Sequence, residues 1–194
     1  MQELLQFDEA LFRLINGSWT NGLLDAVMPI WRNKYFWIPL YIFFISFVLI
    51  NHTKKVLPFL LAALITVGLS DTISSKLIKK SIKRDRPCND LKIKEDVKLL
   101  VKCGSGYSFT SSHATNHFAI GVFFFYTVGI FFRRSRFLLL FWAFSISYGQ
   151  VYVGVHYPVD VFVGACIGST IGIIMSAFFN HYWGFSESKP VSLA

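Results

Sequence analysis

The 194-residue chain is predicted to be an all-α polytopic membrane helix bundle, with about five transmembrane helices and an interfacial N-terminal helix. Three observations predict this. Hydrophobic residues make up 54% of the chain and charged residues only 15%, whereas an average soluble domain is about 25% charged. Mean hydropathy is +0.50, and there are 21 Phe and 5 Trp. The apolar residues also come in long runs, and crossing a hydrocarbon core of about 30 Å takes about 20 helical residues. Disorder is excluded, an ordinary soluble globule is disfavoured, and the length suits one domain. The formal net charge of +8 favours anionic headgroups and phosphates as partners. The apolar runs leave little surface for nucleic acid, so membrane lipids are expected partners and nucleic acid is not.

Residues 1–33 come first. Leu4, Leu5, Phe7, Leu11, Leu14 and Ile15 are roughly helically spaced, with Glu3, Asp8 and Glu9 between them. That is an amphipathic helix lying on the membrane surface or against the bundle. The stretch 22–31 is short for a crossing, which leaves six spans as the alternative to five. The start, MQELLQFDEALFRLI, lacks a basic stretch followed by an apolar core, so the first span is expected to serve as the targeting signal. A membrane domain over 34–181 follows. Its predicted spans are 35–50, 56–75 (interrupted by Asp71), 113–132 (closed by Arg133, Arg134 and Arg136), 137–155 and 158–180. Residues 182–194 form a tail.

Basic residues set the sidedness. One side would carry Lys54, Lys55, Arg133, Arg134, Arg136 and Lys189; the other Arg13, Arg32 and Lys34, plus ten in the 76–112 loop. A plain positive-inside count would put that loop in the cytoplasm. The loop, however, reads as an anion site, and its charges have other work. Without it the count is six to three. The tail is then cytoplasmic and the loop faces outward, which in a bacterial inner membrane is the periplasm.

Three polar features interrupt the apolar pattern. In KLIKKSIKRDRPC, residues 76–88, six cations crowd a helix end, where the dipole favours positive charge. A snorkelling basic collar would look the same. Pro87 stops the helix and fixes Arg86 at a corner. A fixed arginine fork beside Lys79 suits a phosphate. In Thr110-Ser111-Ser112-His113 the hydroxyls serve as N-caps, and a helix N-terminus also attracts anions. His117 lies one turn beyond His113, but a His pair without a neighbouring carboxylate is a weak metal signal, and His117 reads as a packed bundle histidine. Around Tyr157-Pro158, His156 precedes a helix whose first turn holds Asp160. A carboxylate there can take one ring N–H and leave the other nitrogen as nucleophile or base. With five spans all three features fall at helix ends on one side, a convergence suited to phosphoryl transfer.

On these residues the chain resembles the type 2 phosphatidic acid phosphatase family, which shares its core with vanadium haloperoxidases. The family pattern is KxxxxxxRP, PSGH and SRxxxxxHxxxD. The first part stands intact from Lys79 to Arg86-Pro87. The second is TSSH, keeping Ser111 and His113. The third keeps His156 and Asp160, with Gly149 and Gln150 where the family has Ser and Arg. The resemblance covers roughly residues 20–180. It implies a membrane lipid phosphatase in which His156 attacks phosphorus and forms a phosphohistidine, Asp160 orients His156, and His113 protonates the leaving oxygen and then activates water. Lys79, Arg86, Ser111 and the backbone at Ser112 would hold the phosphate. No metal or other cofactor is implied, and no carboxylate cluster suited to Mg²⁺ is visible. Gln150 removes a cation from the cradle. It retains a neutral donor, and Lys80, Lys83 and Arg84 are spare cations.

Undecaprenyl diphosphate, phosphatidic acid, phosphatidylglycerophosphate and lipid A phosphate all fit the family as lipid phosphate substrates. Two other readings are a lipid phosphotransferase using the same His156 intermediate, and a non-catalytic lipid-phosphate binding or transport protein. The loop 88–106 would be floppy unless tied down. Val97, Leu99, Leu100 and Val101 suggest packing on the bundle rim. In an oxidising periplasm Cys88 and Cys103 could form a disulfide, stabilising by roughly 3 kcal/mol in the chain-entropy model. Cys166 is expected to stay unpaired and buried in the last span.

Overall fold

The computed structural model describes residues 2–185, and among these there is no β-strand. The α-helices are α1 Gln2–Arg13, α2 Gly22–Trp31, α3 Ile38–Asn51, α4 Val56–Asp71, α5 Lys79–Ile82, α6 Ser112–Tyr126, α7 Phe137–Tyr152 and α8 Pro158–Trp183. Three helical segments are long and apolar enough to cross a bilayer: Lys34–Asn51, Thr53–Ile82 and Pro158–Trp183. They take in the predicted spans 35–50, 56–75 and 158–180. The second runs beyond its expected end because a π-helical stretch, Thr72–Ile78, carries α4 into α5. Those extra turns deliver Lys79. Of the expected tail 182–194, residues 186–194 lie outside the described residues.

The predicted spans 113–132 and 137–155 are both shorter than expected. α6 ends at Tyr126, and a 3-10 stretch, Val128–Arg136, turns the chain through Arg133 at φ 45°. The helical axes on the two sides of Thr127 differ by 100°. The turn is tight: a Cβ on Gly129 would stand 2.9 Å from the Phe124 carbonyl oxygen. By length and composition the described residues supply three crossings, or four when this bent pair is taken as one.

α6 lies at the centre, against α4, α7 and α8. It meets α8 along Gly164, Gly168 and Gly172, one glycine per turn. A Cβ on these would stand 2.9, 2.2 and 2.6 Å from the carbonyl oxygens of Ser111, Thr115 and Ala119. Small residues at this spacing let membrane helices approach backbone to backbone. The lock fixes the start of α8 against the start of α6. We expect Gly168→Val to wedge the two helices apart. Overpacking of this kind costs about 1–3 kcal/mol, and a contact of 2.2 Å to backbone puts it at or above the top of that range. A fall in melting temperature in detergent with loss of activity is the expected readout.

Two apolar clusters flank this lock. One, including Phe44, Phe59, Phe123, Phe124 and Phe179, fills the bundle interior. The other joins Phe12 and Ile15 to Ile93, Val151 and Tyr157, with Val97, Leu100 and Val101 packed on it. The 88–106 loop is therefore seated on the rim, although Leu99 is exposed. Asn16 fastens it: its Nδ2 donates to Lys98 O and its Oδ1 accepts from Lys98 N, both at 2.9 Å. Cys88 and Cys103 are joined as a disulfide. Cys166 is unpaired but exposed, not buried as expected. It shares the outward face of α8 with Phe162 and Ile173, because the inward face is taken by the glycine row.

α1 is amphipathic, with Leu4, Leu5 and Phe7 exposed and Phe12 buried. α2 is part of the bundle: Trp31 Nε1 donates to Ser145 Oγ on α7 at 2.9 Å.

Candidate active site

Four chain segments meet at one end of the bundle: the α4–α5 end with the loop after it, the start of α6, the α7–α8 junction, and the end of α2. Between them lies a cavity of about 580 Å³ lined by Arg32, Lys79, Lys80, Arg86, Ser112, His113, Gln150 and His156, among others.

His156 sits between α7 and α8 and is buried, 2% exposed. The chain reaches it through Gly154 at φ +86°, where a Cβ would press on Val97 at 2.7 Å. Its Nδ1 faces Asp160 Oδ2 at 3.5 Å, with Ser108 Oγ 3.3 Å from the same nitrogen. Its Nε2 accepts from Arg86 Nη1 at 3.2 Å. An Asp at Nδ1 fixes the tautomer that leaves the Nε2 lone pair toward the cavity. Burial holds the His156 pKa down, to about 4, and Arg86 and Lys79 act in the same direction, while Asp160 pulls it up. The ring is therefore neutral near pH 7.

Asp160 is fully buried and well supplied with donors. Its Oδ2 accepts from Tyr157 N at 2.9 Å and from Ser108 Oγ. Its Oδ1 accepts from Arg84 Nη1 at 2.8 Å. The other end of that guanidinium, Nη2, donates to Asp8 Oδ2 at 2.6 Å, and its Cζ lies 3.8 Å from the Tyr157 ring centroid. Asp8 Oδ1 accepts from Val159 N at 2.8 Å. Arg84 is therefore an internal brace between α1 and α8, not the spare phosphate cation the sequence offered.

Lys79 and Arg86 both reach the cavity. Lys79 Nζ donates to Tyr107 O at 3.0 Å. Arg86 donates to Gly106 O and Val155 O, each at 3.2 Å. Gly104 lies flat on this guanidinium: a Cβ there would be 3.3 Å from Arg86 Cζ. Lys80 also lines the cavity, and Lys83 is not among its lining residues.

At the start of α6, Ser111 is fully buried. Its Oγ accepts from Ala114 N at 3.4 Å and its N–H donates to Asp160 O at 3.1 Å. The structure uses Ser111 as the cap of α6, and it is not among the residues that line the cavity. Ser112 does line the cavity, with its Oγ 2.8 Å from Ser75 Oγ. His113 lines both this cavity and a second one of about 780 Å³, walled also by Asn33, Tyr41, Asp71, Asn116 and His117. His117 packs in the bundle as expected, at the edge of the second cavity. It is buried, donates from Nδ1 to His113 O at 2.8 Å, and meets Trp142 edge-on at 5.2 Å. Among the described residues no group of three or more His, Cys, Asp or Glu is placed to hold a metal ion.

Gln150, which stands where the family has an arginine, lines the cavity, and its Nε2 has no hydrogen-bond partner among the described residues. It is fully buried, and its Oε1 accepts from Arg32 Nε at 3.1 Å and Nη2 at 2.8 Å. Sequence reasoning missed Arg32, Ser108 and Asp8. Asp8 had a signal: it falls in helical register with Phe12 and Ile15, a carboxylate on the buried face of an amphipathic helix. Arg32 and Ser108 had none, since each is an ordinary residue at the edge of an apolar or loop segment.

Comparison with known proteins accords with this geometry. Residues 55–183 match the model of the PAP2 superfamily. The chain is 32% identical over 170 residues to a lipid A 4'-phosphatase of Bacteroides thetaiotaomicron, an alignment covering 85% of this chain and 73% of that protein. Among solved structures, Aquifex aeolicus LpxE is 32% identical with a TM-score of 0.62, covering 86% of this chain and 92% of that one. A PAP2-type phosphatidylglycerolphosphate phosphatase of Bacillus subtilis shares the fold, with a TM-score of 0.71 at 21% identity over 96% of this chain and 90% of that one. Since the family model spans more than half of the chain and the curated relative aligns over most of its own length, this protein belongs to the PAP2 superfamily and is an integral membrane phosphatase.

Proposed function

We propose that the protein hydrolyses the phosphate monoester of a lipid A-type glycolipid, through a phosphohistidine at His156, without a metal ion. The observation that carries the chemistry is the meeting of His156 and His113 in one cavity walled by Arg32, Lys79 and Arg86. The substrate class rests on likeness to a lipid A 4'-phosphatase and on the second cavity beside His113, where Asn33, Asp71 and Asn116 could bond a sugar's hydroxyls and Val67, Val101 and Ile120 could pack against its apolar parts.

In this reading the phosphate lies among the cations, which neutralise its charge in place of a metal. His156 Nε2 attacks phosphorus, and the bond from phosphorus to the lipid oxygen breaks. His113, protonated, gives that oxygen its proton. Water then attacks the phosphohistidine, His113 takes the water's proton, and the P–N bond breaks to release inorganic phosphate. Asp160 holds Nδ1–H throughout and stabilises the positive ring.

The same reading gives α6 and α7 one short crossing each. Phe125 packs on Phe137 and Gly121 on Ala143, so α7 returns beside α6 to the His113 side. With Lys34–Asn51, Thr53–Ile82 and α8, that makes five crossings, and the cavity opens on the outer, periplasmic face.

Phosphate release from a panel of lipid phosphates and diphosphates in detergent, with and without EDTA, tests this. We expect the fastest turnover on a lipid A-type monophosphate and no change with chelator. Loss of activity with EDTA and rescue by a divalent ion would overturn the metal-free reading. Turnover in ¹⁸O-water should place the label in free phosphate, and unlabelled phosphate on a lipid acceptor would point to transfer instead.

A further inference from the structure

We propose that Arg32, from the N-terminal segment, is a phosphate-binding residue of this site, and that Gln150 is the residue that positions it. The inference deepens the phosphatase reading above and rests on it.

Arg32 is the residue after α2, and its neighbours are pinned. Trp31 is bonded to α7 through Ser145, and the Trp31 carbonyl accepts from Trp37 Nε1 at 2.7 Å. Asn33 Oδ1 caps the next turn by accepting from Tyr35 N at 3.0 Å. The side chain then runs over Gly149. A Cβ at 149 would stand in ordinary van der Waals contact with Arg32 Cβ at 3.5 Å and Met28 Sδ at 3.6 Å, so the arginine stem packs directly beside this position. At the end of its path, Nε and Nη2 grip Gln150 Oε1. That oxygen belongs to a fully buried amide on a rigid helix.

This contact uses one edge of the guanidinium. Nη1 makes no hydrogen bond among the described residues, while the group lines the same cavity as Lys79, Arg86, His113 and His156. No carboxylate pairs with Arg32 among the described residues, whereas Arg84 is matched by two. Burial lowers the Arg32 pKa, to about 10, and Arg86 adds to the effect, so the two guanidinium groups feel each other across the cavity. Uncompensated cations held together in a half-buried space are stabilised by an anion of matching charge, and a phosphate is the anion a forked donor suits.

The departure from the family pattern at position 150 then has a cause. A glutamine at 150 offers a neutral oxygen that an arginine can grip, and the arginine stem packs beside Gly149 on its way there. The cation lost from α7 returns from a different part of the chain. Arg32 also walls the second cavity, so it stands where the phosphate joins its leaving group.

The test uses the purified full chain in detergent with Arg32→Ala, Arg32→Gln, Arg32→Lys and the double variant Arg32→Ala/Gln150→Arg. Activity on the best lipid phosphate and competition by inorganic phosphate are both read. We expect Arg32→Ala and Arg32→Gln to lower kcat/KM by about 10²–10³-fold, the usual loss for one anion-stabilising donor. Inhibition by inorganic phosphate should weaken by at least about tenfold, one lost charged contact of about 1.4 kcal/mol. Arg32→Lys should keep more activity than either. The double variant should regain at least about tenfold over Arg32→Ala, because the guanidinium returns from α7. Rescue of that kind would not follow if Arg32 merely supported the fold. Activity within about threefold of wild type in Arg32→Gln, or unchanged phosphate inhibition with no rescue, would overturn the proposal. Inorganic phosphate binding is also measured directly on wild type and Arg32→Gln. A wild type that hydrolyses no lipid phosphate would sink the functional reading, and the difference in phosphate binding would still decide the role of Arg32.

Discussion

His156→Ala is expected to abolish phosphate release, by a factor on the order of 10⁵–10⁶, the scale seen when a covalent nucleophile is removed. The ring is buried and bonded to Arg86, Ser108 and Asp160, so melting temperature is read alongside activity and His156→Gln serves as a second variant that keeps a polar side chain in the space. His113→Ala should cost about 10²–10⁴-fold on a lipid phosphate, as for loss of a general acid. On p-nitrophenyl phosphate, whose leaving group needs no proton, the His113→Ala deficit in the first step should shrink and a phosphoenzyme should accumulate. The double variant should be little worse than His156→Ala alone, because the two residues act as one unit. The pH profile supplies an independent check. Burial lowers the His156 pKa, to about 4, so the neutral nucleophile persists above that value and is lost as pH falls through it. In Asp160→Asn the upward pull on His156 disappears. The acid limb should then move to lower pH while the plateau falls with the lost orientation of the ring. Wild-type activity in His156→Ala would end the phosphohistidine mechanism.

The apolar runs made the long helices legible, because a bilayer demands length and hydrophobicity and both are written residue by residue. The 3-10 turn after Tyr126 was not legible. Ile130, Phe131 and Phe132 continue the apolar run past the point where the chain bends at Thr127 and Arg133, and hydropathy alone does not register a bend. The glycine row of α8 was overlooked although it is periodic, since it carries no hydropathy contrast within an apolar helix. In the site, His113, His156, Lys79 and Arg86 were found because each stands in a local motif at a helix end. Ser111 caps α6, and its part in the site was not legible because a cap and an anion contact use the same atoms and only the direction of the hydroxyl separates them. Arg32 and Asp8 were missed for a different reason. Their partners, Gln150 and Arg84, are 118 and 76 positions away, and no local pattern encodes such a meeting.

Arg84→Met is expected to be the most damaging substitution outside the cavity. The guanidinium lies between two carboxylates, Asp8 and Asp160, that are 1% and 0% exposed. Breaking a buried pair from one side costs about 3–5 kcal/mol, because the remaining charge is left without compensation. Here two charges are left, of which Asp160 keeps three other donors and Asp8 keeps one. The cost should therefore fall mainly on Asp8 and release α1 from the start of α8. Burial already raises the Asp8 pKa against the pull of Arg84, and removing that pull raises it further. An unfolded Asp titrates near about 3.9. Between that value and the raised folded value the folded state holds the extra proton, so stability falls as pH rises through this window. The deficit of Arg84→Met should accordingly be smaller at pH 5 than at pH 8 when melting temperatures are compared in the same detergent. Asp8→Asn in the Arg84→Met background removes the stranded charge while its side-chain oxygen still accepts from Val159 N–H. It should recover much of the lost stability and erase most of the pH dependence. Activity should recover less than stability, since Asp160 has lost the arginine that holds Oδ1. A double variant no more stable than Arg84→Met, with the deficit equal at both pH values, would show that Arg84 does not brace α1 to the catalytic carboxylate.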